Sequence, residues 1–317
     1  MGSRRKLGSS DLLVSPLALG GNVFGWTLNE TGSFKILDAF VGAGYNLVDT
    51  ADSYSRFAPG NKGGESETII GNWLKKSGKR KDLIVATKLG SDMGDGKKGL
   101  SAKYMKQAVE ASLRRLQTDY IDLYQSHFDD PETPVSETIT AFNDLIKAGK
   151  VRYIGASNLS AERITESNDF ARRNKLSSYI SVQPLYNLYD REKFEKEYAK
   201  LVKDESLGVI SYYSLASGFL TGKYRSEADL NKSPRGKGVK RYLDERGFRI
   251  LAAMDIVAKQ QNVQVSQIAI AWLLHKPFIT APIASATTEK QLSELIHGST
   301  LQLSGEQMDL LEMASAV

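Results

Sequence analysis

The sequence predicts an α/β fold: a parallel (β/α)8 barrel of the TIM type, built as a single domain over residues 1–317. Three observations predict it. Short apolar, β-branched runs recur eight times along the chain; segments with apolar residues at helical spacing fill most of the gaps, several behind a serine; and several runs deliver a polar side chain at or just past their C-terminal ends. Strands alternating with helices make a parallel sheet, a count of eight favours closure, and closed βα barrels build their sites at those strand ends. The 317 residues, 41% hydrophobic and 25% charged, suffice for one such domain with a sizeable core.

The first run, Val14 to Gly20, lies in LLVSPLALGG behind Arg4, Arg5 and Lys6. Basic residues before an apolar run resemble a signal peptide, but Asp11 precedes the run, Pro16 interrupts it, and the barrel needs the segment as its first strand. A cytoplasmic location is therefore expected. The second run, Tyr45 to Thr50, lies in YNLVDTADSY; the third, Leu83 to Lys88, is LIVATK; the fourth, Tyr120 to His127, is YIDLYQSH. Tyr153 to Asn158, Tyr179 to Pro184, Val209 to Ser214 and Ile279 to Ser285 complete the set. Between them, SAKYMKQAVEASLRRLQ from Ser101, SETITAFNDLIKAGK from Ser136 and SAERITESNDFARRNK from Ser160 each open on a serine suited to capping a helix. The gap from Ser214 to Ile279 is the long one. It holds a loop rich in Gly, Lys and Arg, then two helical patterns, Glu245 to Gln261 and Ser266 to Lys276; a last helix is expected from Ser304. Long loops in compact domains are usually functional or disordered, and the loops after strands seven and eight of a barrel often bind phosphate.

Composition removes several classes of function. Without cysteine there is no disulfide, thiolate metal site or cysteine nucleophile, and the three histidines, His127, His275 and His297, are too dispersed for a usual zinc site. No metal is expected. The net charge of +5 is spread among acidic neighbours except in KSPRGKGVKR, Lys232 to Arg241. That stretch reads either as a solvated loop or as a seat for a small polyanion. No recognised nucleic-acid motif accompanies it, so neither nucleic acid nor a membrane is expected as a partner, and a monomer is favoured.

Asp49, Tyr54, Lys88 and His127 stand where a barrel would gather its strand ends. Taken singly, each has an ordinary explanation: a capping aspartate, a packing tyrosine, a solvated lysine, a locally bonded histidine. Together they have chemistry. A phenol is a poor acid at its usual pKa of about 10, and a neighbouring ammonium lowers that value by favouring the phenolate. A lysine paired with an aspartate is held in place and kept charged, while a neutral imidazole can donate to a carbonyl oxygen. Such a set could protonate an oxygen as hydride reaches the adjacent carbon.

On these residues the chain resembles the aldo-keto reductases, nearly end to end. DTADSY, ATK and QSH match that family's Asp, Tyr, Lys and His tetrad. The resemblance implies Tyr54 as general acid, Lys88 as the modifier of its pKa, Asp49 as the partner of Lys88 and His127 as the donor that orients the carbonyl. It also implies a cofactor, NADP(H). Ser157 and Asn158 of GASN, with Gln183 of SVQP, match the residues that hold the nicotinamide carboxamide, and Tyr213 of SYYSLASG matches the aromatic that stacks on the ring, with Ser214 beside it. Turn chemistry and core packing are the ordinary alternatives for these positions. GFLTGKY and SPRGKG are similar to the loop of the branch that includes the potassium-channel β subunits, where the matching Lys223 and Arg235 would reach the phosphates. In SATTEKQLSELI, the resemblance gives Thr287, Gln291 and Glu294 the adenosine end, while Leu295 departs from the Asn that many members carry. No G-x-G-x-x-G follows a strand, so dinucleotide binding rests on the resemblance alone. NADPH is expected over NADH because Lys223, Arg235 and Gln291 could serve a 2′-phosphate.

Phe24, Trp26, Phe57, Tyr124, Phe128 and Tyr186 are the aromatics expected with Tyr54 around the substrate. With the chain stopping soon after its last helix, an open pocket for broad or bulky substrates is expected. The reading is an NADPH-dependent reductase of aldehydes or ketones whose partner is a small carbonyl or alcohol. Its alternatives are a cofactor-sensing regulatory subunit similar to the channel β subunits, against which the lack of an extra N-terminal segment is weighed, and a barrel lyase or isomerase using Lys88 as a Schiff base.

Overall fold

The structure, a computed structural model, describes residues 3–317. It begins with an antiparallel hairpin, β1 (Arg5–Lys6) and β2 (Leu13–Val14). Eight parallel strands follow: β3 (Ala18–Gly20), β4 (Leu47–Asp49), β5 (Ile84–Leu89), β6 (Ile121–Ser126), β7 (Val151–Ser157), β8 (Ser181–Gln183), β9 (Gly208–Val209) and β10 (Ile283–Ala284). From β3 to β9 each pairs with the next, and β10 pairs back onto β3. The circle closes where Ile279 bridges Val209 and Ile283 N donates to Ser211 O at 2.8 Å. This is the (β/α)8 barrel the sequence predicts.

One strand differs from its expected form. The run Val14 to Gly20 is split, because Pro16 has no amide hydrogen to continue a ladder; Val14 pairs with Arg5 in the hairpin, and the barrel strand starts only at Ala18.

The helices are α1 (Glu30–Gly42), α2 (Glu65–Ser77), α3 (Ala102–Leu116), α4 (Val135–Lys147), α5 (Ala161–Arg173), α6 (Ala199–Asp204), α7 (Glu245–Gln261), α8 (Val265–His275), α9 (Glu289–Gly298) and α10 (Gly305–Ser315). Ser101, Ser160 and Ser304 cap α3, α5 and α10, each accepting from an amide of the first turn. Ser136 does not cap. Pro134, with its backbone preset at φ −59, starts α4 two residues earlier than a Ser136 cap would, and Ser136 becomes an exposed residue of the first turn.

Alternation along the strands divides the core in two. Outward residues such as Val48, Val85 and Tyr124 pack against the helices. Inward Leu47, Ala86, Leu123, Ile210 and Ala281 form a separate cluster with Leu7, Leu12 and Val14, so the hairpin plugs the N-terminal end of the barrel. Gly8 lets it seat there: its φ is +55, and a Cβ would lie 2.0 Å from the Ile180 carbonyl oxygen. Towards the C-terminal ends of the same strands the inward positions turn polar, at Asp49, Lys88, Gln125, Ser157 and Gln183, all buried. Among the described residues no helix is long and apolar enough to cross a membrane, and no cluster of His, Asp and Glu could hold a metal ion.

Candidate active site

The polar end of the barrel opens into a cavity of about 650 Å³. Asp49 ends β4, Lys88 lies near the end of β5, His127 follows β6, and Tyr54 stands in the turn after β4. Lys88 Nζ donates to Asp49 Oδ2 at 2.8 Å, to the Tyr54 hydroxyl at 2.8 Å and to the Thr50 carbonyl at 2.9 Å, which engages all three ammonium hydrogens. Tyr54 in turn donates to Asp49 Oδ2 at 3.0 Å, and Gln183 Nε2 donates to Oδ1 at 2.8 Å. Both carboxylate oxygens are thus held. Lys88 is fully buried and does not line the cavity, so it lacks the free, accessible amine that a Schiff base requires.

Burial depresses the Lys88 ammonium below the ordinary lysine value while Asp49 pulls it back. Tyr54 departs from expectation. Its pKa lies well above that of a free phenol, because burial penalises the phenolate and the adjacent Asp49 carboxylate, which accepts its hydrogen bond, adds to the penalty. The anticipated lowering by Lys88 is outweighed, and Tyr54 keeps its proton. His127 is shifted the other way. Burial, and then the charge of Lys88, hold its pKa well below the ordinary histidine value, so the ring is neutral at neutral pH. The ring meets Tyr54 edge-on at 6.0 Å and stacks on Phe128 at 4.8 Å.

Asp49, Tyr54 and His127 share the cavity with Ser157, Asn158, Gln183, Tyr213, Ser214, Lys223, Arg235, Thr287, Gln291 and Glu294. Every catalytic or cofactor residue singled out in the sequence therefore lines it, except the buried Lys88. Ser157 donates to Gln183 O at 2.9 Å, and Asn158, at a left-handed φ of 54, donates to His127 O at 2.9 Å while accepting from Tyr212 at 2.8 Å. Tyr213 presents a half-exposed ring. Thr287 donates through its amide and hydroxyl to Gln291 Oε1, which fixes the start of α9 over the cavity. Leu295 packs into the core.

The basic stretch resolves into three kinds of residue. Lys237 is simply exposed. Lys232, Lys240 and Arg241 pair with Asp229, Glu227 and Asp190. Arg235 turns to the cavity instead, its guanidinium 5.4 Å from the centre of the Trp26 ring, with Nη2 buried and unbonded among the described residues. Burial lowers its pKa, as expected of a cation short of counter-charge.

Of the expected pocket aromatics, Phe57 and Phe128 line the cavity, and Trp26 packs edge-on against Phe57 at 4.8 Å. Phe24, Tyr124 and Tyr186 do not. They are fully buried; Tyr124 packs on Phe142 and Tyr186 on Trp272, because their positions face the helices. The sequence reading missed Asn22 and Ser285, joined by a 2.6 Å hydrogen bond at the rim, together with Tyr212 and Ser91. The pair Gly20-Gly21 just before Asn22, at the end of β3, was a usable signal for the first; nothing local marked the others.

A family model described as the aldo/keto reductase family matches residues 16–316. The chain is 34% identical to the "Uncharacterized oxidoreductase YrpG" of Bacillus subtilis (strain 168), over 96% of this chain and 93% of that protein. It is 36% identical to the "Probable voltage-gated potassium channel subunit beta" of Oryza sativa subsp. japonica, over 92% and 89% of the two chains. With "Protein tas" of Escherichia coli (strain K12) it shares 32% identity over 97% and 96%.

Proposed function

Because the chain belongs to the aldo/keto reductase family, and so to a family of oxidoreductases that use nicotinamide cofactors, we propose that it is a cytoplasmic NADPH-dependent reductase of aldehydes and ketones in which Tyr54 supplies the proton. The observation that carries this reading is the Tyr54 hydroxyl: a protonated phenol at the cavity wall, 2.8 Å from the Lys88 ammonium. As negative charge develops on a carbonyl oxygen in the cavity, Tyr54 turns its proton from Asp49 to that oxygen. The phenolate left behind accepts from Lys88, whose charge Asp49 maintains, and it recovers a proton from solvent. His127 donates to the same carbonyl oxygen and orients it. Bound NADPH would supply the hydride, so that one hydride and one proton add across the C=O bond and give the alcohol.

Ser157, Asn158 and Gln183 would hold the carboxamide, Tyr213 and Ser214 the nicotinamide, Lys223 and Arg235 the phosphates, and Thr287, Gln291 and Glu294 the adenosine end. Arg235 supports a phosphate-bearing ligand most directly, since a largely buried guanidinium with an unbonded nitrogen is costly until an anion meets it. Phe57 and Phe128 give the substrate end an aromatic wall suited to bulky carbonyls.

Steady-state NADPH oxidation across a panel of aldehydes and ketones tests the reading. Tyr54→Phe should lower turnover of an unactivated aldehyde by about 10²- to 10⁴-fold with NADPH affinity kept; near-native turnover would remove Tyr54 from the acid's role. Similarity to proteins named as channel β subunits favours a second reading, a cofactor-sensing subunit. That protein would bind NADPH, turn over every carbonyl negligibly and retain a membrane partner on purification.

A further inference from the structure

We infer that Ser91 is a positioning residue for His127: its hydroxyl donates to Nδ1, which leaves the imidazole's single proton on Nε2, the nitrogen free to serve the cavity. The two residues meet because β5 and β6 end side by side, with His127 N donating to Leu89 O at 2.8 Å and the chain bending at Gly90, φ +104, before Ser91. Ser91 Oγ then lies 2.9 Å from His127 Nδ1. Among the described residues Ser91 Oγ has no other hydrogen-bond partner, so Nδ1 is the one protein acceptor available to its proton. The ring is also neutral, since burial and Lys88 both oppose the imidazolium. A neutral imidazole carries one N–H, and a nitrogen that accepts from Ser91 is the one without it.

The ring is held in this attitude. It stacks on Phe128, meets Tyr54 edge-on, and its backbone carbonyl accepts from Asn158 Nδ2 at 2.9 Å. The tautomer decides what the cavity receives. With the proton on Nε2 the ring offers a donor; with it on Nδ1 the ring would point a lone pair at any carbonyl oxygen and repel it. The consequence for catalysis rests on the reading of His127 as the carbonyl-orienting donor, whereas the tautomer itself does not.

The test is the ring nitrogen spectrum of the full-length protein, with labelled histidine, recorded at neutral pH alone and with NADP⁺. Long-range proton–nitrogen correlations separate the two neutral tautomers and the imidazolium, and with three histidines in the chain His127 is assigned by its loss in His127→Gln. The wild type should show Nε2–H. Ser91→Ala should show a mixture of tautomers and lose on the order of threefold to tenfold in kcat/KM for a ketone, the effect of one modest hydrogen bond. Ser91→Thr, which keeps the hydroxyl, should restore both. An Nδ1–H tautomer or imidazolium in the wild type, or a Ser91→Ala spectrum like that of the wild type, would overturn the assignment. A tautomer that depends on Ser91 in a protein that reduces no carbonyl would refute the reductase reading and leave the assignment of Ser91 standing.

Discussion

Asp52, three residues beyond Asp49, has the opposite fate from its neighbour. It is buried with neither carboxylate oxygen hydrogen-bonded among the described residues. Glu67 of α2 already takes Arg115 of α3 and Thr87 of β5, so Asp52 is a surplus acid between the barrel and the helices, near Tyr104, Tyr124 and Lys88. Burial first, then Glu67, pushes its pKa up to about 8, against the pull of Arg115, the Ser53 amide and Lys88. A folded pKa raised above the unfolded one means that stability is fully present below about pH 4 and is lost as pH climbs to about 8, because the unfolded carboxyl ionises first. Asp52→Asn removes that loss. The variant should match the wild type near pH 4 and exceed it increasingly up to pH 8, by roughly 5 kcal/mol at most; calorimetric melting at acidic, neutral and mildly alkaline pH measures the gap. His127 predicts a second profile. Since its pKa lies well below the ordinary value, kcat/KM for an aromatic ketone should stay level as pH falls through about 6.5. His127→Gln, which keeps a donor, should retain more of that activity than His127→Ala, and a wild-type step at the ordinary histidine pKa would instead require an imidazolium.

At the scale of elements, the serines behind the helical segments are not equivalent. Ser160 Oγ accepts from Arg163 N at 3.1 Å and Ser101 Oγ from Tyr104 N at 3.4 Å, whereas Ser136 is exposed inside the first turn of α4 and caps nothing. Ser160→Ala should cost about 1 kcal/mol and Ser101→Ala somewhat less, while Ser136→Ala should stay within about 0.5 kcal/mol of the wild type. Urea titrations of the three variants read this directly, and an equal loss at Ser136 would contradict the start of α4 at Val135. The strands show the same dependence on position. Along β4 and β5 the inward residues pass from Leu47, Ile84 and Ala86 to Asp49 and Lys88, so one alternation fills the core below and supplies the site above.

For the molecule as a whole, the barrel is closed at one end and open at the other. The hairpin closes it, and Gly8 is where the hairpin touches the strand ends; Gly8→Ala would force a left-handed backbone on a Cβ placed 2.0 Å from Ile180 O. A loss of roughly 3 kcal/mol or more is expected, seen as a lower melting temperature with nucleotide affinity unchanged per folded molecule. The open end depends on the insertion between β9 and β10, which carries Lys223 and Arg235 over the cavity. Arg235→Ala should weaken NADPH binding by about 1.5–3 kcal/mol, the worth of a hydrogen bond to a charged group, in a fluorescence titration. Unchanged affinity for NADPH and NADH alike would place the loop outside the cofactor site.

The sequence by itself determined the repeat of strand and helix, the barrel, and the strand-end residues Asp49, Tyr54 and His127 that share the cavity. Strand alternation and helical spacing are local, and a closed parallel barrel brings the C-terminal ends of its strands to one face whatever the loops do. Only the tertiary structure decided the rest. That Pro16 divides a strand from a plug, that Phe24, Tyr124 and Tyr186 face helices, and that Arg235 keeps a buried, unbonded nitrogen at the cavity depend on what packs there from distant parts of the chain. The same holds for protons. Lys88 beside Tyr54 predicted an acidified phenol, but the balance is set by burial and by the Asp49 carboxylate, and the neutrality of His127 by burial and by Lys88, 39 residues away in sequence. Charge energies vary with surroundings that no single segment contains, which is why residue identities were legible in the sequence and their protonation was not.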